Sequence, residues 1–266
     1  AKELGFFERW GLNVTLQKQN SWSTLRDKLH AGVLDAAQML APMPIASALG
    51  LGAPSANVIT PLVLSLNGNA ITLSEGLLQE VLKENEITNV TLPMAGYLLQ
   101  KVVALTSFDI WQDSPEKVLG LLDSWHQKNP NSVLALCAAL KQACSWLESV
   151  PNRFEAARLL SQSEYLDAEL DVIAPSLLGS CLTHKSMPPR SIPSYNQFSV
   201  SNNGCINQPE LVRGEWLIKH MVSAGQIPPN VTIPLDLIGK VFRPDIYQKM
   251  RLLIEDKGVQ FYRRSG

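Results

Sequence analysis

The sequence has no excess of charge of either sign. It contains 23 Lys and Arg residues against 24 Asp and Glu residues, which gives a formal net charge of −1 at pH 7 with neutral histidines. Nucleic-acid-binding proteins and proteins that adhere to anionic membranes carry basic patches, so we expect neither kind of partner. An anion site in this chain must therefore be built from local donors and not from the field of the whole molecule.

Long apolar runs are also missing. No uninterrupted apolar stretch reaches the length that spans a bilayer, and we predict no membrane span. The stretch AKELGFFERWG carries charges where a signal peptide would have its apolar region, so no export segment is visible. This observation leaves the compartment open, with a slight preference for the cytoplasm.

The sequence also lacks paired-cysteine patterns and known catalytic motifs. The four cysteines, Cys137, Cys144, Cys181 and Cys205, form no CxxC pair and have no spacing to histidine that suits zinc. Free thiols in a reducing compartment explain them, and a disulfide between Cys181 and Cys205 in a secreted protein is the alternative. The sequence has no GxSxG, HExxH, P-loop or GxGxxG motif. We therefore predict that the chain is not an enzyme and holds no metal or cofactor.

The first third of the chain alternates β-type and helical patterns. With 266 residues and 45% hydrophobic content, the chain is long enough for one large domain or two lobes. LNVTLQKQ, LDAAQML and NVITPLVLSLNGNAITLS have the composition of strands. STLRDKLHAG, capped by Ser21 or Ser23, and PMPIASALG have the composition of helices. The order β-α-β-α-β predicts a parallel sheet with helices on its faces.

The rest of the chain is mainly helical in pattern. Ser114, Pro115 and Glu116 have the character of a helix N-cap and first turn, so we predict a helix that begins there. NPNS and VPNR separate it from two further helices, and a loop rich in Pro, Ser and Asn follows. The segment TLPMAGYLLQKVVAL is ambiguous and holds a strand or two.

Several segments carry a family resemblance. GFFERWGLNVTL, SWSTLRDKLHAGVLDAAQMLAPMPIASALG and LNGNAITLS resemble the nitrate-binding group of type II periplasmic-binding-protein folds, as do SPEKVLGLLDSWHQKNPNSVLALCAALKQACSWLE and VFRPDIYQKM. The group includes the binding components of bacterial nitrate and bicarbonate ABC importers, and NasS-type nitrate/nitrite sensors that control an antiterminator. The resemblance implies an α/β fold with a parallel or mixed sheet and flanking helices.

Two departures from the family bear on the domain organisation. The family has a strand before AKELGFF, and it has a whole lobe between AITLS and SPEKVLG, where this chain has only residues 75–113. We therefore expect a main lobe formed by residues 1–73 and 103–266, with residues 74–102 as the remnant of an incomplete second lobe. Our interpretation is that the sequence is part of a longer protein.

Trp22 and Ser23 are the first candidate ligand residues. A nitrate-like oxyanion is small, planar and weakly basic, and converging N–H donors at helix starts hold it without a full charge. The resemblance places Trp22 at the family's ligand-site tryptophan, and its indole is a donor only. Packing of Trp22 against a sheet edge is the alternative. Ser21, Ser23 and Thr24 either cap the helix or contact the ligand.

Asn69 and Gln112 are the other two candidates. Asn69 aligns with a glutamine that contacts nitrate in the family, although Asn67, Gly68 and Asn69 are also typical of a turn. Gln112 lies where the binding protein of the nitrate importer has a lysine. The change from a cation to an amide removes a charge-assisted bond, which weakens the case for nitrate and leaves nitrite, another anion or a neutral ligand open.

Three functions remain in competition. The first is a binding protein that delivers a small oxyanion, nitrate or nitrite above all, to an ABC permease. The second is a cytoplasmic sensor whose open and closed states bind an antiterminator-type regulatory protein unequally. The third comprises binding of another small ligand (bicarbonate, a sulfonate or a thiamine-pyrimidine precursor) and an enzyme of pyrimidine-precursor synthesis on the same fold. Unpaired cysteines and the absence of a visible export segment favour the sensor slightly.

Overall fold

The computed structural model describes residues 1–74, 101–181, 190–192, 195–201 and 204–261. Its helices are α1 (Phe6–Arg9), α2 (Trp22–His30), α3 (Pro42–Ala48), α4 (Ser107–Ile110), α5 (Asp123–Lys128), α6 (Pro130–Trp146), α7 (Val150–Leu160), α8 (Leu170–Leu178), α9 (Leu211–Ser223), α10 (Leu237–Val241) and α11 (Pro244–Phe261). Its strands are β1 (Ala36–Leu40), β2 (Val58–Asn67), β3 (Ala70–Ser74), β4 (Lys101–Thr106), β5 (Pro115–Leu122), β6 (Ser180–Cys181), β7 (Arg190–Ser191), β8 (Asn196–Gln197), β9 (Val200–Ser201) and β10 (Gly204–Cys205).

The chain divides into two compact units that each draw on separate stretches of sequence. Unit 1 contains Ala1–Leu64, Lys117–Ser145 and Cys205–Gly266, and unit 2 contains Ser65–Glu116 and Trp146–Gly204. This grouping differs from the expected placement of residues 103–266 in one lobe. The expected remnant at residues 74–102 falls almost entirely outside the described residues. The predicted lobe boundaries therefore stay a prediction.

The core of unit 1 is built on the pairing of β1 with β5. The two strands run antiparallel, and the register joins Ala36 to Leu121 and Leu40 to Lys117. Met39 on β1 is fully buried, and a Cβ at Gly120 on β5 would lie 2.1 Å from its Sδ atom. Only glycine lets the Met39 side chain cross the partner strand at this distance.

The sheet is not purely parallel, which agrees with the mixed form of the prediction: an isolated bridge between Thr60 and Phe242 is parallel, and the strand pairings that follow are antiparallel. β1 pairs with β5, the end of β2 with β8, and β3 with β4. Helix α3 connects β1 to β2, and a connection of this kind is typical of parallel strands. Strands β5 and β8, however, come from distant parts of the sequence, and a local pattern does not reveal such a partner.

Two predicted elements are wrong. Residues 12–19 form no regular structure, because their alternating pattern has no buried face and Leu16 is 52% exposed. The helix predicted from Ser114 is instead the strand β5, and Ser114 is not a helix cap. Val118 and Leu121 are fully buried against neighbouring strands, and this tertiary pairing outweighs the local signal of Pro115 and Glu116 for a helix start.

Most other predicted elements of the described part are confirmed. They include β1, α2 and α3, the division of NVITPLVLSLNGNAITLS into β2 and β3, and the two helices that meet near VPNR. No single described helix combines the length and apolarity needed to cross a membrane. Helices α6 and α7 pass that test only as a pair, and they are bent by 115° relative to each other.

Candidate functional site

The N-terminus of α2 in unit 1 carries two of the predicted ligand residues. Ser21 is the N-cap: its Oγ accepts from the Thr24 backbone N–H at 3.1 Å. The same hydroxyl donates to Thr24 Oγ1 at 2.9 Å. A hydroxyl has one proton, so Ser23 must be the donor in its 3.0 Å contact with Ser21 Oγ. An anion that bound Ser23 would have to compete with this bond.

Trp22 is the first residue of α2, and it is not packed into the core. Its side chain is 43% exposed, whereas the average tryptophan is mostly buried. The first turn of α2 holds no acidic residue, so the positive end of the helix dipole is not compensated there by a carboxylate of that turn. The described geometry therefore leaves an exposed indole at an electropositive helix start.

Lys117 is a neighbour of Trp22 that the sequence analysis did not identify. Its Nζ atom lies 5.6 Å from the centroid of the Trp22 ring, which is within the range of a cation–π contact. Strand β5 positions the lysine, because Lys117 pairs with Leu40 at the end of β1. We call Ser21, Trp22, Ser23 and Lys117 the indole cluster. Its charge is positive, and an ammonium beside a donor-only indole suits an anion.

The turn at the end of β2 in unit 2 holds the third predicted ligand residue. Asn67 and Gly68 both have positive φ, 59° and 87°, so the turn that the sequence suggested does form. The buried Asn67 side chain accepts from the backbone N–H of Ser114 at 3.2 Å. Tyr195 Oη donates to the carbonyl of Gly68 at 3.2 Å. These bonds fix the backbone that presents Asn69.

Asn69 itself is exposed, but it is already engaged within unit 2. Its side-chain Nδ2 donates to Oε2 of Glu116, which is only 7% exposed. Its backbone N–H donates to Ser107 Oγ at 3.1 Å, and its carbonyl accepts from the Ser107 N–H at 2.8 Å. We call Asn67, Asn69, Ser107 and Glu116 the amide cluster. Its one charged side chain, Glu116, is a carboxylate.

Gln112 lies in unit 2, in the short connection between α4 and β5. It is exposed, and the next residue, Asp113, has a positive φ of 66°. The helix before it is capped by Thr106, whose Oγ1 accepts from the Asp109 N–H at 3.2 Å. Trp22 and Ser23 thus belong to unit 1, and Asn69 and Gln112 belong to unit 2. The ligand roles of all four stay predictions.

Of the remaining polar residues, His30 is bonded within unit 1. His30 ends α2, and its Nε2 lies 3.0 Å from Ser47 Oγ on α3. Burial, followed by the nearby Arg26 guanidinium, lowers the pKa of His30. Lys185, His184 and the side chain of Arg190 lie outside what the structure describes. Among the described residues, no three His, Cys, Asp or Glu side chains are grouped as a metal site.

Three of the cysteines are free of disulfide bonds. Cys137 and Cys144 are buried in α6, and Cys205 is an exposed thiol. Burial raises the pKa of Cys137 well above its usual range. The Cys205 Sγ atom lies 3.0 Å from Tyr247 Oη, so the alternative of a disulfide between Cys181 and Cys205 is not the observed state.

A shallow pocket of about 450 Å³ also lies in unit 1. Its lining is mixed, with the residues His30, Ala56, Asn57, Leu122, Asp123, Ser124 and Gln127. Asp123 in this lining is already paired with Arg243 at 3.2 Å and accepts from Gln127 at 2.6 Å. The pocket contains none of the predicted ligand residues.

A model of the NMT1-like family matches residues 1–101 and 90–161 of the chain. The nitrate import ATP-binding protein NrtC of Synechocystis sp. is 27% identical over 318 residues, which cover 93% of this chain and 47% of that protein. The bicarbonate transport ATP-binding protein CmpC of Synechococcus elongatus is 26% identical over 86% of this chain and 43% of that protein. The chain therefore spans about half the length of these relatives.

The crystal structure of the periplasmic nitrate-binding protein NrtA from Synechocystis PCC 6803 has a similar fold. The TM-score is 0.81 at 22% identity, over 96% of this chain and 84% of that one. This likeness confirms the predicted α/β fold of the type II periplasmic-binding class. The NrtC alignment is longer than this chain, so NrtC has residues inside the matched region without a counterpart here. This agrees with an incomplete second lobe.

Proposed function

The chain belongs to the NMT1-like family, and we propose that it is a binding protein, not an enzyme, for a small oxyanion, with nitrate or nitrite as the first candidates. The observation that carries this proposal is the indole cluster. Trp22 at the start of α2 is 43% exposed, and the Lys117 ammonium lies over its ring, so the pair provides an N–H donor and a positive charge for a planar anion.

Lys117 provides the cation that the sequence alone did not place near the predicted ligand residues. Gln112 provides only an amide where the family's nitrate importer has a lysine, so the sequence alone left a nitrate site without a cation. The ammonium of Lys117 near Trp22 supplies a local charge from a different position. This makes a monovalent anion a better candidate than a neutral ligand.

The named relatives support the choice of ligand class. One is a nitrate import protein, another a bicarbonate transport protein, and the fold matches a nitrate-binding protein. Bicarbonate is therefore the leading alternative ligand. In an importer the chain would hand its ligand to an ABC permease and would work in the periplasm, which is the compartment of NrtA from Synechocystis. This proposal reverses the slight preference for the cytoplasm in our sequence-based expectation.

Titration calorimetry on the full chain tests the ligand proposal. Nitrate, nitrite, bicarbonate and an alkyl sulfonate are each titrated into the protein at low ionic strength. We expect saturable heat with nitrate or nitrite, and weaker or no heat with the sulfonate. Saturable heat with bicarbonate alone would reassign the ligand within the same class. No heat with any anion would reject the proposal.

A second candidate function is a regulatory domain for a transport ATPase or a regulatory protein. Alignments to NrtC and CmpC, two ATP-binding proteins, cover most of this chain, yet this sequence has no P-loop. The similarity therefore does not indicate that this chain binds ATP. It is consistent with a ligand-binding domain that regulates an ATPase. An antiterminator-type partner remains part of this candidate.

Cell fractionation of the full-length protein separates the two candidates. Release of the protein with the periplasmic fraction supports delivery to a permease. Retention with cytoplasmic markers, together with a nitrate-dependent change in the ATPase rate of the transport complex, supports the regulatory role.

A further inference from the structure

Helix α2 carries a cation on the same face as Trp22. Arg26 follows Trp22 by four positions, and residues with this spacing are neighbours on a helix surface, with Cβ atoms about 5–6 Å apart. The Arg26 side chain is 21% exposed, so a small anion can reach it from solvent. Resting on the proposed function, we propose that Arg26 is a further anion-binding residue beside the indole cluster, and that its neighbour Asp27 competes with the ligand for it. All these residues belong to unit 1.

The guanidinium of Arg26 is bonded along one edge within the described part of the chain. Its Nε donates to Asp27 Oδ1 at 2.9 Å, and its Nη2 lies 2.8 Å from the same oxygen. On the other side, a Cβ at Gly52 would lie 3.5 Å from Nη1. Gly52 has no side chain, so the turn after α3 leaves space beside Nη1. The edge formed by Nη1 and Nη2 matches two oxygens of a planar oxyanion.

Asp27 is a weak competitor for this guanidinium. It is 61% exposed, and adjacent residues of a helix do not face each other. Exposed ion pairs add little stability, because water and salt screen them. An oxyanion from solution can therefore replace the Asp27 carboxylate at Arg26 at a small free-energy cost. Without a ligand, the same pair keeps the guanidinium on this face of α2.

Arg26 adds a planar pair of donors to the indole cluster. The ammonium of Lys117 acts as a point charge and attracts any anion, whereas a guanidinium favours acceptors that present two oxygens in one plane. Nitrate, nitrite and bicarbonate present two such oxygens, and chloride does not. Arg26 thus favours planar oxyanions over a halide of the same charge.

Calorimetric titration of nitrate into the full chain and its variants tests the competition. We expect Arg26→Gln to lower the nitrate affinity about fivefold, because a charge-assisted contact is lost. Asp27→Asn should raise the affinity about threefold, because the competitor is removed. The double variant should bind nitrate as weakly as Arg26→Gln alone. If Asp27 acted only through its charge, Asp27→Asn would give the same gain in both backgrounds.

The substitution Arg26→Lys tests the planar donors and serves if Arg26→Gln does not fold. Lysine keeps the charge and loses the fork. We expect the nitrate affinity to fall while competition by chloride stays unchanged, so the ratio of nitrate to chloride affinity falls. A change in stability alone would not alter this ratio.

The exposed pair of Arg251 and Glu255 on α11 provides the matched controls. Its atoms lie 3.1 Å apart, and both residues belong to unit 1. Arg251→Gln and Glu255→Gln remove the same charges as the test substitutions and should leave the nitrate affinity unchanged. Circular dichroism melts of all the variants check that they fold.

Each outcome bears on the proposal in a defined way. A gain in Asp27→Asn that disappears in the Arg26→Gln background, with both controls unchanged, supports it. An equal gain in both backgrounds overturns the competition. Unchanged nitrate affinity in Arg26→Gln overturns the assignment of Arg26 and leaves the proposed function intact. Absence of anion binding in all the proteins overturns the proposed function, and this inference with it.

Discussion

The indole cluster and the amide cluster differ in how far their donors are already used within the protein. Trp22 is 43% exposed and has a cation above its ring. Asn69 is bonded to both Ser107 and Glu116, and the charge beside it is a carboxylate. One cluster offers exposed surface and positive charge, and the other offers a fixed geometry and a negative charge. The two clusters therefore differ in the sign of their charge and in how far their polar groups are already bonded.

The largest expected effect concerns the rigidity of the amide cluster. Gly68 has φ +87°, and a Cβ there would lie 2.1 Å from Asn196 Oδ1. Asn196 cannot easily move, because its Nδ2 donates to the Ser176 carbonyl at 2.6 Å. We expect Gly68→Ala to lower the free energy of unfolding by about 3 kcal/mol, measured by denaturant titration.

Gly225→Ala is the control for Gly68→Ala. Gly225 has a similar positive φ of +68° but nothing within 4 Å of the added Cβ. Its substitution should cost only about 1 kcal/mol of backbone strain. Equal losses in the two variants would show that the close approach to Asn196 does not hold the turn.

The next effect concerns the charge of the indole cluster. Lys117→Gln removes the ammonium near Trp22, and we expect the affinity for nitrate to fall about tenfold, because a charge-assisted contact is lost. The affinity should also depend less on ionic strength. Lys128→Gln removes the same charge from the exposed end of α5 and should leave binding unchanged. A Lys117 variant that binds as tightly as the control would show that the ammonium of Lys117 does not contribute to binding.

A smaller effect is expected from Trp22→Phe. Phenylalanine keeps an aromatic face for Lys117 but lacks the indole N–H, so only the donor is lost. We expect about a fivefold loss of nitrate affinity by calorimetry, with little change in stability because Trp22 is 43% exposed and lies outside the buried core. Trp216→Phe on α9 is the control, since it shows how far a Trp-to-Phe substitution elsewhere in the chain changes nitrate affinity. Full affinity in Trp22→Phe would mean that Trp22 acts through its ring alone.

The smallest effect concerns the helix that carries Trp22. His30 has a lowered pKa in the folded protein, so the folded state favours the neutral ring. Its contribution to stability is therefore present at neutral pH, above the unfolded pKa, and is lost as the pH falls through the lowered folded pKa. Melting temperatures measured from neutral to acidic pH should fall less in His30→Gln than in the unmodified chain. Parallel curves would show that His30 does not contribute to the pH dependence.

Much of the fold was predictable from the sequence because several signals were local. The N-cap Ser21, the prolines at the start of α3 and the NGN turn after β2 each act through neighbouring residues. The turn at Asn67 illustrates the point, since Asn and Gly tolerate positive φ at little steric cost. These elements appeared where the sequence placed them.

The same local reasoning failed for the segment from Ser114. Serine, proline and glutamate in succession are typical of a helix start, yet the segment is the strand β5. This error also hid two neighbours of predicted ligand residues, since Glu116 and Lys117 are consecutive residues of β5 and each contacts such a residue. The short apolar run VLGLL was the signal that could have identified a buried strand.

By itself, the sequence determined the family resemblance, the positions of α2 and the NGN turn, and Trp22 and Asn69 as candidates. The start of α2 and the turn depend on short-range backbone preferences, whereas the two candidate residues came from the resemblance. Only the tertiary structure decided that Lys117 lies near Trp22 and that Glu116 accepts from Asn69. The physical reason is that strand pairing joins segments far apart in the sequence, and the charges next to a donor come from whichever segment pairs there.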